Sequence, residues 1–159
     1  MCLYVSEFET AQLLRRFKDS IRKDGGIRAW KVYEVNTVSG ELISSYQRTK
    51  VRRCNDYVVS DRKYVTKSTH ELRSGEISKG IHVYLFEPSP YHLVKDVVVP
   101  VYVYKDDLVS GGNNLEAVFM RVKIEDKDWN DAQDRVKLDC AKAAQRRAAA
   151  ARYYESRGL

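Results

Sequence analysis

The sequence predicts an α+β domain: one N-terminal helix, a mostly antiparallel sheet of about five to seven strands, and a long C-terminal helix. Three observations carry that prediction. Two β-branched and aromatic runs, 81–86 (IHVYLF) and 97–104 (VVVPVYVY), flank a short crossing marked by Pro88 and Pro90. Runs of this length and composition read as strands buried on at least one face. Residues 117–125 (AVFMRVKIE) alternate with period two, placing Val118, Met120, Val122 and Ile124 on one side. Residues 129–156 are rich in alanine, which has the highest helix propensity.

Taken in order, residues 1–5 form a short apolar lead. Ser6 and Glu9 then have capping-box spacing. Leu14, Phe17 and Ile21, with Leu13 beside them, mark one helix stripe, and Arg15, Arg16, Lys18, Arg22 and Lys23 lie largely off it. Gly25-Gly26 is the expected stop. Residues 27–35 read as a strand with Trp30 and Val32 on one face and Ala29, Lys31, Tyr33 and Val35 on the other. A turn at 36–40 leads to a hairpin partner at 41–46. Further short strands are expected at 57–59 and 64–66, and 68–79 is polar and loop-like. The runs 81–86 and 97–104 are expected to be neighbours in the sheet. Residues 105–114, ending SGGNN, carry a strong turn signal. The helix from 129 divides the chain into a domain over 1–126 and a helical extension over 127–159. Its narrow stripe of mostly small residues docks the first half; the second half, QRRAAAARYYESRGL, has little apolar bulk and is expected to project or to meet a partner.

A chain of 159 residues with 43% hydrophobic content suits one ordinary core. The net charge is +6, which favours an anionic partner or serves solubility. Cys2, Cys54 and Cys140 are odd in number and widely spaced, which points to a reduced, cytoplasmic setting. The first residues have neither the basic nor the apolar region of a signal peptide, and no run approaches the ~20 apolar residues of a spanning helix. No membrane partner is expected.

The basic segment Arg48, Lys50, Arg52 and Arg53, with Tyr46, Tyr57 and Tyr64 near it, has the parts of a phosphate and base contact: charge, forked donors and stacking rings. A solvated loop is the other reading. In the C-terminal helix, Arg135, Lys137, Lys142, Arg146, Arg147, Arg152 and Arg157 alternate with acids at pairing distance, so they serve either a wet face or a partner, including a second copy of the chain. His70, His82 and His92 lack metal-ligand spacing; no metal and no cofactor is expected. P-loop, dinucleotide, nucleophile-elbow and HExxH patterns are absent. Asp106-Asp107 and Glu125-Asp126 are adjacent in sequence, so on a strand they point apart and make no acid/base couple.

Two resemblances meet at residues 80–86. Met1-Cys2, Trp30-Lys31-Val32-Tyr33, Gly80-Ile81-His82-Val83 and the valine-rich strand at 97–104 resemble small uncharacterised bacteriophage proteins, over roughly 1–125. Separately, Ser78-Lys79-Gly80-Ile81-His82-Val83-Tyr84 is similar to the G-x-G-I-Y-F strand of ADP-ribosyltransferases. That second resemblance implies a strand presenting His82 to the nicotinamide of NAD, with Glu116 as the candidate glutamate. The family's His-Gly near the first core strand has no match around Ala29-Trp30-Lys31.

The expectation is a phage-type accessory protein that binds a host defence or regulatory component, a nucleotide-like molecule or a host protein, at Trp30, His82 and Tyr84 with the basic segment 48–53. The host cytoplasm is the implied compartment. Alternatives are a nucleic-acid binder using the basic segment and the C-terminal helix, and a diverged ADP-ribosyltransferase.

Overall fold

A computed structural model describes residues 3–44, 49–60, 76–77, 80–88, 96–112 and 115–158. Arg48, Tyr46, Tyr64, His70, His92 and the expected strand at 64–66 lie outside them.

The chain is α+β. After a two-residue strand β1 (Leu3–Tyr4) comes helix α1 (Glu7–Lys18), then β2 (Ile27–Asn36), β3 (Glu41–Ser44), β4 (Tyr57–Val59), β5 (Glu76–Ile77), β6 (Ile81–Tyr84) and β7 (Asp96–Val103). A 3-10 turn (Lys105–Asp107) leads into β8 (Leu108–Gly112), β9 (Glu116–Phe119), β10 (Arg121–Lys123) and helix α2 (Asp126–Ser156). Among the described residues the main sheet has eight strands in the order β4-β10-β7-β2-β6-β9-β8, with β3 also on β2. Its pairings are antiparallel. β1 and β5 form a separate two-stranded pair.

The strand β2 is the axis of this sheet. Along one edge it pairs with β7, from Ile27 opposite Val103 to Glu34 opposite Asp96. On its other edge β6 holds only the Trp30–Tyr84 position, and β3 takes over from Tyr33 to Asn36. The two apolar runs expected to be neighbours are therefore separated by β2. Each pairs with β2, on opposite edges. Hydrophobic alternation fixes which face a strand buries, but not which strand lies beside it.

The alternation is borne out in β7 and β2, whereas in 117–125 Ala117 and Phe119, not Val118, join Val122 and Ile124 in the main core. Val97, Val99, Val101 and Val103 are buried on one face of β7, and Ala29 and Tyr33 on the matching face of β2. Pro100 sits in a stretch of β7 whose far edge has no strand partner among the described residues, because β10 joins β7 only at Tyr102. A residue without an N–H is tolerated there. Ile81, Val83, Ala117, Phe119, Val122 and Ile124 extend the same core.

Both helices close it. Ser6 caps α1 by accepting from the Glu9 N–H at 3.2 Å, as the capping-box spacing predicts. Leu13 and Phe17 are buried, and Phe17 meets Phe119 edge-on at 6.2 Å. Ile21 does not join them: α1 ends at Lys18, and Ile21 lies beyond it, fully exposed. The Ser20 hydroxyl, which donates to the Gly26 carbonyl at 2.7 Å, bends the chain away first.

The glycines at 111–112 belong to β8 rather than to a turn. A Cβ on Gly111 would stand 2.9 Å from the Thr10 backbone nitrogen, so the glycine there serves the close approach of α1 to β8. Gly80 enters β6 at φ 99°, a left-handed conformation that favours glycine. The period-two segment at 117–125 is split at Met120 into β9 and β10, which pair with different strands.

The helix α2 packs on β7 through Ala132 and Val136, with Trp129 and Cys140 beside them. From residue 144 to 158 every residue is exposed.

Candidate functional site

The face of the sheet opposite the valine core carries Trp30 and Tyr84. Cross-strand pairing sets Pro100, Trp30, Tyr84 and Glu116 in one row across β7, β2, β6 and β9. Trp30 and Tyr84 are thus direct neighbours, both half-buried. Phe86 meets Tyr84 edge-on at 5.9 Å. One step toward the start of β2, the Arg28 guanidinium lies 5.8 Å from the Trp30 ring centre, and Arg28 itself is opposite Tyr102.

The charge on this face is divided. At the far end of β2, Glu34 and Asp96 stand opposite each other, and burial followed by the Glu34 charge raises the Asp96 carboxyl above its usual range. Tyr84 is held protonated by burial and by the Glu116 and Asp96 carboxylates. The other end is cationic. There Arg16, Arg22 and Arg28 line a cavity of about 620 Å³ together with Ser20, Ile21 and Tyr102. Asp19 also borders it. The Arg22 guanidinium stacks 3.7 Å from the Tyr102 ring centre and pairs with Asp24 at 3.1 Å and Glu125 at 3.2 Å. The hydrogen bond to Asp24 is the main reason the Arg22 charge is reinforced and Asp24 is held well below the usual carboxylate range. Arg22 is therefore held in place by Asp24 and Glu125, and it lines the same cavity as Arg28.

Between the two ends lies a fork. β6 meets β2 only at Tyr84 and diverges from it toward the start of β6, where β3 occupies that edge from Tyr33 onward. Lys31 fills the fork. Its ammonium donates to the His82 carbonyl at 2.8 Å, and the residue is buried. Burial lowers the Lys31 pKa to about 8, against the opposing pull of Glu116. His82 faces Val118 in the β6–β9 ladder, and burial plus the Lys31 charge take its imidazole down to about 4, so it is neutral at pH 7. Tyr33 lies in the core with its hydroxyl lacking a hydrogen-bond partner among the described residues, and burial raises its pKa.

Trp30 and Tyr84 are thus brought together, and His82 lies two residues along β6 on the same face as Tyr84. The basic segment is placed elsewhere. Lys50 bridges to Ile43 of β3 and pairs with Glu41. Arg52 is exposed. Arg53, with a side chain 13% exposed, pairs at 2.6 Å with both Asp56 and Asp126 and donates to the Ile124 carbonyl at 2.9 Å. It fastens the strand region to the start of α2.

No family model, curated protein or solved structure matches the chain.

Arg16, Arg22 and Arg28 were not among the expected contact residues. Their signal was present: Arg16 and Arg22 lie off the apolar stripe read from the sequence, and Arg28 shares the face of Trp30 by period two. What brings them together is the chain reversal at Ser20 to Gly26, which has no periodicity to read. Among the described residues no group of three or more His, Cys, Asp or Glu could hold a metal ion. Cys54 and Cys140 are free thiols. No helix among the described residues is long and apolar enough to cross a membrane.

Proposed function

We propose that this chain is a binding protein for a phosphate-bearing, nucleotide-like ligand, taken at the arginine-lined cavity beside Trp30. The observation that carries the reading is the convergence of Arg16, Arg22 and Arg28 on one cavity of about 620 Å³, with Arg28 also over the Trp30 ring. Guanidinium forks match phosphate oxygens, and an indole face offers a stacking surface for a base. The volume is in the ordinary range for small-ligand pockets. Arg22 is held in place by Asp24 and Glu125, so binding need not order it. The carboxylates at the other end of the face direct an anion toward the arginines. The resemblance to small bacteriophage proteins supports a host defence or regulatory nucleotide as the ligand.

Isothermal titration of the full chain with inorganic phosphate, a mononucleotide and a cyclic dinucleotide tests this. A nucleotide is expected to bind more tightly than phosphate alone, and Arg28→Ala to weaken it by at least about tenfold, equivalent to about 1.4 kcal/mol. Absence of binding by all three probes, or an Arg28→Ala variant that binds like the parent, overturns the reading.

A further inference from the structure

The strongest unassigned feature is the outer half of α2. Residues 126–139 hold five aspartates against three basic residues, a net of two negative charges. Residues 140–158 hold five basic residues against Glu155, a net of four positive charges. In the inner half the charges are mostly matched: Lys127 with Asp131 at 3.0 Å, Arg135 with Asp139 at 3.1 Å, and Lys137 near Asp134. In the outer half Lys142, Arg146, Arg147 and Arg152 have no carboxylate within ion-pair distance among the described residues.

This outer half is fully exposed from residue 144 and extends about 20 Å at 1.5 Å per residue. Seven alanines between 140 and 158 keep it helical without a packing partner. At about 100° per residue, Lys142, Arg146 and Arg157 fall within about 60° of one another, and Arg147 and Arg152 flank them at roughly 110° on either side. The opposite side carries Ala144, Ala148, Ala151 and Glu155.

We propose that the outer half of α2 docks in the major groove of double-stranded DNA. A groove about 12 Å wide admits a helix about 10–12 Å across. The central cationic stripe then faces the groove, and Arg147 and Arg152 reach the phosphates of the two walls. A second copy of the chain is disfavoured as occupant: like halves repel, the acids of the inner half are largely paired, and the outer half has no continuous apolar seam. A membrane surface is disfavoured because that half lacks the wide apolar face of an interfacial helix. The proposal is independent of the Arg28 cavity.

The test is fluorescence anisotropy of the full chain with a roughly 20-base-pair DNA duplex and the matching single strand, from about 50 to about 200 mM salt. The parent is expected to prefer duplex. The triple variant R146Q/R147Q/R152Q, whose glutamines keep helix propensity, is expected to lower the slope of log affinity on log salt by about three. The corresponding triple lysine variant is expected to keep most of the slope, since point charges still meet phosphates. A glutamine variant with unchanged slope overturns the proposal. So does equal affinity for single strand and duplex. Sedimentation showing a parent dimer that the glutamine variant converts to monomer also overturns it, because a second copy then occupies the helix.

Discussion

The two halves of α2 are one continuous helix under opposite rules. The inner half buries Ala132 and Val136 and pairs most of its charges; the outer half buries no side chain and leaves its cations without carboxylates among the described residues. The same division runs through the sheet. Lys31 and Arg53 are drawn into the structure, one by the His82 carbonyl and the other by Asp56, Asp126 and Ile124. Arg16 and Arg28 stay at a cavity wall. A basic residue in this chain therefore reports function only after its partners are known, and net charge alone does not separate the two kinds.

The largest expected effect breaks the comparison at its packed end. Val136→Asp places an unpaired carboxylate in the core and is expected to cost roughly 4 kcal/mol or more. Ala148→Asp in the outer half is expected to cost under about 1 kcal/mol. Urea denaturation of both variants checks the contrast.

The second effect concerns pH. Lys31 titrates near 8 in the folded chain and near 10.5 when unfolded. Between those values the unfolded chain holds the proton that the folded amine has released, so stability rises with pH, by up to about 3 kcal/mol. The burial of Tyr33 works in the opposite direction above pH 10, so the rise is read below that point. His82 has the same sign at lower pH: stability falls as pH drops from 6.5 toward 4, because the unfolded chain takes up a proton the buried imidazole resists. Denaturation midpoints across pH 4 to 10 should show both rises. Lys31→Met should abolish the upper one and keep the lower in reduced form, since burial is the main cause of the His82 shift and the Lys31 charge the second.

Smaller effects sharpen the division among cations. Arg53→Ala removes a largely buried clamp and is expected to cost about 2 kcal/mol, whereas Arg52→Ala should stay within about 0.5 kcal/mol. Tyr33→Phe removes a buried hydroxyl with no partner among the described residues, and is expected to raise stability by about 1 kcal/mol, read as a higher thermal midpoint.

Much of the fold was legible because local rules and packing agree. Ser6 marked the start of α1, the valines of β7 marked its buried face, and the alanines marked α2. What could not be read was adjacency. Residues 81–86 and 97–104 are close in sequence and similar in composition, yet β2 lies between them, because a ten-residue strand can pair along both edges. The glycines of β8 read as a turn because composition does not reveal that α1 approaches them. The aromatic pair Trp30 and Tyr84 was legible as candidates through the short motifs at 30–33 and 78–84. The arginines around Tyr102 were not, since they come together through a reversal that follows no period.

Amide hydrogen exchange along α2 tests the division most directly. Residues 130–140 are expected to exchange near the rate set by global unfolding, and residues 146–156 orders of magnitude faster. Addition of a DNA duplex is expected to slow the outer half alone. Equal slow exchange along the whole helix in the free protein would contradict the account, since it would mean that the outer half is already covered.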